Sequence, residues 1–358
     1  MPVFSKTLPS NLIYSSIANQ IISQEVFSDN IKGTYGSLAE RAKVDAGLYG
    51  SVKLYYSCDI LKGYDWKNDA EAQNLLQIHR PKAPEVQALE VNEFKIVPLT
   101  LDQYLTKQAF ATAGAFSQFN SVMLGMVRET KRVWEATRYN TYLGTTETVE
   151  GEQTFDITPV DGQNDALTMA EALATLLVNM RDITRDYNDY KHLRSYDEKD
   201  LIVVWNAKHY NTLKKIDMPT IFHTSGLLDE FKQEVLPARY FGEKQGVYNE
   251  DAPVMTQVPQ DGAVYRTLVE GDFNGKHKFP GDILEPDTDV YEGQYYKEDD
   301  TIAFKVVHKR SIPSLTGFST QTEFWNPRAL VSTTYLIWGT NKLEYLKNYP
   351  MITARFGE

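Results

Sequence analysis

Two extended runs with no core between them constrain this chain more than any other feature. Val52-Lys53-Leu54-Tyr55-Tyr56-Ser57-Cys58-Asp59-Ile60 alternates and is rich in β-formers. Gly63 ends it, and a polar stretch with Tyr64, Asp65 and Trp66 follows. Ala70 to Ile78 reads as a helical turn, Pro81 and Pro84 break the chain, and Glu85 to Leu99 forms a second extended run. Residues 46–97 therefore predict a long hairpin with a decorated tip. An isolated hairpin is at best marginally stable in water. This one must lean on another surface, in the same chain or in a neighbouring one.

The flanking segments predict an α+β chain. Residues 1–45, with a short helix over Ile17 to Val26, are too polar to build a core and read as an arm. Residues 101–142 predict one long helix, kinked at Gly114 and stopped at Gly144. Its core face carries Phe116, Phe119, Met123, Met126, Val127, Thr130, Trp134 and Thr137 at three- and four-residue steps. Arg128, Glu129, Lys131, Arg132, Glu135 and Arg138 supply the polar side. A second helix is expected to start from a capping box at Thr168 and Glu171. Met169, Leu173, Leu176, Met180, Ile183 and Tyr187 would form its seam. Leu201 to Trp205 is a continuous apolar run, the mark of a strand buried on both faces, and Asn206 can cap a helix over Ala207 to Ile216. Pro219 opens a further helical piece. Residues 237–300 read as loop-rich, and Thr301 to Val307 and Leu330 to Trp338 as strands.

With 358 residues the chain has room for two or three domains, and 42% apolar with 24% charged residues is ordinary for a soluble globular protein. The net charge of -11 argues against specific nucleic-acid binding, which normally shows a basic excess. Cys58 is the one cysteine, so neither an intrachain disulfide nor a cysteine zinc site is available. The start, Met1-Pro2-Val3-Phe4-Ser5-Lys6, lacks a secretory signature, and no run approaches the roughly 18 apolar residues of a membrane span. The chain is expected to stay in a cytoplasm unless it leaves as part of a larger particle. Its 22 tyrosines suit either surfaces that become buried against partners or the core and loops of a β-rich domain.

No catalytic, cofactor-binding or metal site is expected. Gly271-Asp272-Phe273-Asn274-Gly275-Lys276-His277 lacks the spacing and the Ser or Thr of a phosphate loop. In Asp287-Thr288-Asp289-Val290-Tyr291-Glu292-Gly293 the glycine is one place late for a calcium loop, and Tyr291 stands where an oxygen ligand belongs. The histidines, at 79, 192, 209, 223, 277 and 308, show no metal spacing and read as packed or surface residues. There is no Gly-x-Ser-x-Gly elbow.

Taken in order, arm, long hairpin, long helix, mixed α/β region and return strand resemble the major capsid proteins of tailed phages, with their Hong Kong 97-like fold. The segment from Ala109 to Ser121 is similar to the spine-helix start of capsid proteins from small short-tailed (podovirus-type) phages, and Phe324-Trp325-Asn326-Pro327-Arg328-Ala329-Leu330 to the family's return into its peripheral domain. The resemblance implies an arm over 1–45, an extended loop over 46–97, a peripheral domain over 98–162 with the spine helix, an axial domain over 163–300 and a return over 301–358. It implies a non-enzymatic subunit that self-assembles as pentamers and hexamers into an icosahedral virion capsid, in the host cytoplasm, with scaffolding and portal proteins as partners. Packaged DNA would be enclosed without sequence-specific binding, and no membrane is involved. Tyr64 and Trp66 are the candidate inter-subunit anchors. Phe116, Phe119, Met123, Val127 and Trp134 are the candidate spine-helix core face. Two other readings compete: an encapsulin-like shell around a cellular enzyme, and a hydrolase or transferase whose site is too dispersed to recognise.

Overall fold

The computed structural model describes residues 36–46, 51–65, 78, 80–102, 113–148, 153–159, 165–214, 232–245, 255–273, 276–285, 290–292 and 295–357. Helix and sheet are both present. The first half forms α1 (Ser37–Arg41), β1 (Lys43–Asp45), β2 (Val52–Ser57), β3 (Glu85–Asp102), α2 (Ala113–Thr145), β4 (Thr154–Ile157) and α3 (Asp165–Arg181). Then come β5 (Leu201–Asn206), α4 (Ala207–Lys214), β6 (Lys232–Leu236), β7 (Gly242–Gln245), β8 (Met255–Gln257), β9 (Tyr265–Thr267), β10 (Gly271–Phe273), β11 (Lys276–Lys278), β12 (Val290–Glu292) and β13 (Tyr295–Glu298). The chain closes with β14 (Ile302–His308), β15 (Ser314–Asn326), β16 (Val331–Asn341) and β17 (Met351–Phe356).

The core is a mixed sheet in the order β4-β17-β14-β5-β6. Every residue of β5 and β14 is buried, because helices cover both faces. Leu201, Val203 and Trp205 meet Met169, Leu173, Leu177 and Met180 of α3. The alternate residues Ile202 and Val204 meet Tyr139 and Leu143 of α2 and Leu38 of α1. The unbroken apolar run in the sequence is thus two interleaved faces. Asn206 caps α4 through Oδ1, which accepts from the Lys208 amide at 3.0 Å, while its Nδ2 donates to the Ile302 carbonyl.

The second sheet is long, in the order β1-β15-β16-β3-β2. β16 runs antiparallel to β3 from Val331 opposite Asp102 to Asn341 opposite Val91. Along β3 exposure alternates, with Leu89 and Val91 fully inward. The inner face packs on α2, where Trp134 meets Trp338 edge-on at 5.7 Å. At about 1.5 Å per residue, the 33 residues of α2 reach about 50 Å.

Several boundaries differ from the sequence expectation. Residues 101 and 102 still belong to β3, and α2 is described from Ala113, so most of the expected helix start lies outside the described residues. Gly144 does not stop α2, which runs to Thr145. A Cβ there would collide with the Tyr240 carbonyl, so close packing is what the glycine serves. The α3 helix begins at Asp165, so Thr168 and Glu171 lie inside it rather than forming its capping box. It ends at Arg181, and Ile183 is 66% exposed instead of continuing the seam. There the Asp182 carboxylate accepts from the Ile183 amide and Thr184 pairs with Arg194 through the backbone, which diverts the chain from the helix. The region 237–300 holds short strands, including the sheet β7-β13-β9, where loops were expected. Strands of three or four residues carry too little periodicity to read. Phe324 to Leu330 forms the tip of the β15–β16 hairpin, with Leu330 at φ 54°. The helices expected over Ile17 to Val26, after Ala70 and from Pro219 lie outside the described residues.

A lysine sits in the middle of this apolar core. Lys305, in β14, is fully buried, and its ammonium donates to the Thr146 carbonyl at 2.9 Å, one residue past the end of α2. The negative end of the helix dipole favours a cation there. Burial nevertheless dominates and pulls the Lys305 pKa from 10.5 down to about 7. Since the folded value lies below the unfolded one, the stability this group permits is complete above about pH 10.5 and is lost as pH falls through about 7. Lys305→Met is expected to remove that dependence. Its stability advantage over the parent, measured by urea unfolding, should be larger at pH 6 than at pH 9 by about 3 kcal/mol.

Candidate assembly surfaces

The long sheet has an outer face as well as the inner one on α2. Strand register assigns its residues. Val52, Leu54 and Tyr56 lie opposite Glu90, Ala88 and Val86, and Phe94, Ile96 and Pro98 lie opposite Gly339, Ile337 and Tyr335. All project away from α2. Phe94 stacks with Phe318 at 6.0 Å across Gly339, whose missing side chain leaves the space for both rings. Leu54 is 49% exposed, Tyr56 64% and Ile96 54% among the described residues. Single exposed apolar residues need no explanation, but two groups on one face, separated by Glu90 and Asn92, mark an interaction surface.

The chain leaves β2 at a polar clamp. Ser57, the last residue of β2, donates to Asn348 Oδ1 at 2.6 Å, and its Oγ lies 2.8 Å from His192 Nδ1. Asp59 accepts from Arg185 at 2.6 Å and from the Leu193 amide at 3.0 Å. Arg194 donates to the Cys58 carbonyl at 2.7 Å. The Arg185 hydrogen bond, helped by the Leu193 amide, holds the Asp59 carboxyl well below the usual carboxylate range. Burial lowers the His192 pKa. A Ser–His contact invites comparison with a nucleophile and its base, but the proton runs the other way. With Ser57 donating to Asn348, the arrangement matches His192 Nδ1 donating to Ser57 Oγ, the reverse of a general-base contact. The cluster ties the loop-side end of β2 to the 185–194 loop and the C-terminal segment.

The anchors and the helix face fall in different places. Tyr64 is 64% exposed beside exposed Ile60 and Leu61, with the Lys62 ammonium 5.6 Å from its ring. Trp66 lies outside the described residues, as does the side chain of Phe116. Val127 and Trp134 are buried with Leu336 and Trp338, while Phe119 and Met123 are half-buried. Met126, expected on the same face, is 53% exposed. Arg138, expected on the polar side, is instead covered. Its guanidinium lies 4.9 Å from the Trp134 ring, pairs with Glu93 at 2.7 Å and donates to the Asn341 carbonyl at 2.5 Å. Thr130 and Thr137 turn their hydroxyls back onto the carbonyls of Met126 and Val133. The sequence singled out none of Ser57, Asp59, Arg185 and Arg194, because the clamp joins segments that lie far apart along the chain. Among the described residues no group of three or more His, Cys, Asp or Glu side chains could hold a metal, and no helix is long and apolar enough to cross a membrane.

The clamp makes a local prediction. Asp59→Ala removes the acceptor shared by Arg185 and Leu193, so amide hydrogen exchange over residues 52–60 should rise at least about ten-fold while the core strands β5 and β14 keep their protection. Equal exchange in variant and parent would contradict the clamp.

The family described as Phi29-like phage major capsid protein matches residues 7–350 of this chain. Comparison with curated proteins gives no match. Among solved structures, a chain of the Staphylococcus phage Andhra capsid aligns with a TM-score of 0.58 at 10% identity, covering 95% of this chain and 90% of that one. A chain of the Cyanophage P-SCSP1u capsid aligns with a TM-score of 0.52 at 9% identity, covering 99% and 100%. At such identities the likeness is one of fold, over nearly the whole length. The chain belongs to the Phi29-like phage major capsid protein family, and it is a structural, capsid-forming subunit of a phage virion.

Proposed function

We propose that this subunit builds an icosahedral shell of pentamers and hexamers around the double-stranded DNA of a short-tailed, podovirus-type bacteriophage, using a Hong Kong 97-like arrangement. The uncovered outer face of the long sheet, carried by Leu54, Tyr56, Phe94 and Ile96, is the observation that supports this most directly. Apolar area of this kind is worth about 25 cal/mol per Å² when buried. A neighbouring copy supplies the covering surface, and the lattice repeats the contact.

In this reading residues 1–45 are an arm and 46–97 an extended hairpin, and both lie over the spine helix α2 of a neighbour. The peripheral domain takes 98–162 and 301–358, and the axial domain takes 163–300, with its sheet completed by β14 and β17 from the C-terminal part. The role is structural rather than enzymatic. Assembly takes place in the host cytoplasm with scaffolding and portal proteins. The net charge of -11 favours a wall that does not hold packaged DNA by specific contacts.

Two substitutions test the assembly surfaces. Ile96→Lys sits on the outer sheet face, and Trp66→Ala removes the candidate tip anchor. Each should leave the unfolding free energy of the subunit within about 0.5 kcal/mol of the parent. Each should cut the yield of shells counted by negative-stain electron microscopy at least about ten-fold. Normal shells from Ile96→Lys would contradict the sheet face as an interface, and normal shells from Trp66→Ala would remove the anchor.

A further inference from the structure

A cleft of about 560 Å³ opens between β1, β2, the β5–β6 edge and the link from β14 to β15. In a chain of net charge -11 its lining is of the opposite sign: Arg41, Lys53, Lys232, Lys309 and Arg310 line it, with no carboxylate among the lining residues. Arg41 is paired with Glu234 at 2.7 Å, and Lys309 with Asp200. Lys53, Lys232 and Arg310 make no ion pair among the described residues. Cations gathered on a concave, partly apolar wall focus a positive potential that an anionic partner relieves.

The rest of the lining decides which anion. Val44, Tyr55, Leu346 and Tyr349 give the cleft an apolar floor, which a phosphate backbone has nothing to fill. The two tyrosine rings are committed to the subunit's own packing. Tyr349 stacks on His308 at 4.2 Å, and Tyr55 packs against the cluster of Leu89, Val91, Leu315 and Leu346. Neither is held open as a platform for a base. The complementary ligand is a peptide with carboxylates around one or two large apolar side chains. The chain contains such a segment, Tyr64-Asp65-Trp66-Lys67-Asn68-Asp69-Ala70-Glu71, with three carboxylates, one cation and two aromatic rings. The residues leading into it, Ile60, Leu61 and Tyr64, are exposed. The clamp at Asp59 holds the chain leaving β2 against the Arg185 and Leu193 loop.

We propose that the basic cleft is the docking site for the acidic, aromatic hairpin tip of a second copy of this chain. The proposal rests on the shell-assembly reading above and adds to it the receiving surface and the charge code of the contact.

Charge exchange tests it. The cleft variant Lys53→Glu/Lys232→Glu/Arg310→Glu and the tip variant Asp65→Lys/Asp69→Lys/Glu71→Lys should each fold and each lose at least about ten-fold in particle yield. Combining both sets in one chain should restore at least about half of it. Unchanged yield in either single variant, or no recovery in the combination, overturns the proposal. So does unchanged assembly accompanied by reduced DNA content in the cleft variant, which would assign the cleft to phosphate. The source of the tip is read from Lys232→Cys/Asp65→Cys in a Cys58→Ser background. Disulfide-linked oligomers on a non-reducing gel support a second copy, and a chain cross-linked only to itself overturns it. A fluorescein-labelled peptide of residues 60–72 separates the two readings. Saturable binding to the soluble parent chain, lost in the cleft variant, supports the cleft even if the parent forms no shells, in which case the shell reading fails alone. Absence of saturable binding, or equal binding to parent and cleft variant, counts against the cleft whether or not shells form.

Discussion

A β-sheet has two faces, and among the described residues only one of them is covered along the longest strands. The inner face of β3 and β16 is closed by α2 through Val127, Trp134, Leu336 and Trp338. The outer face keeps Leu54, Tyr56, Phe94 and Ile96 in water. Full burial of one such side chain is worth about 1.5–3 kcal/mol, and roughly half of that remains unrealised here. Several together amount to a sizeable part of the 5–15 kcal/mol that holds a typical domain folded. A surface with that much to gain is the one we propose a neighbouring copy covers, in a chain whose family forms capsids.

The remainder of the fold makes such an exposed sheet tolerable. The β4-β17-β14-β5-β6 core is closed on both sides, so the subunit does not need the outer face for its own stability. The long helix spans the two sheets. Its middle meets the long sheet at Trp134, and its C-terminal turns meet the core at Tyr139 and Leu143. Arg138 fastens the helix to the long sheet by lying on Trp134 and holding Glu93 and the Asn341 carbonyl. Lys305 ties the helix end to the centre of the core sheet at the cost of burying an amine. The inner face of β2 and β3 packs on the subunit at Tyr55 and Leu89, and polar contacts at Ser57 and Asp59 fix where the chain leaves β2.

What could be read from the sequence followed from local periodicity. The alternation over Val52 to Ser57 and Glu85 to Leu99 identified the hairpin strands, the run Leu201 to Trp205 identified the doubly buried strand, and Asn206 announced α4. Long-range partners were not legible. Nothing local says that β3 continues to Asp102 to match the length of β16, or that Ser57 meets His192 and Asn348. The helix face was read only in part, because tertiary context turned Met126 outward and drew Arg138 under the sheet. Gly144 looked like a helix stop, whereas the approach of the Tyr240 backbone explains it. The basic cleft was invisible for a simpler reason: its five cations are scattered from Arg41 to Arg310, and only the fold gathers them.

We propose that the outer sheet face is open in the free subunit and closed in the shell. Hydroxyl-radical footprinting read by mass spectrometry reports it side chain by side chain. Leu54, Tyr56, Phe94 and Ile96 should label strongly in unassembled subunits and at least about five-fold less in purified shells, with Leu173 and Phe304 unlabelled in both. Equal labelling of the four outer residues in subunits and shells would contradict it.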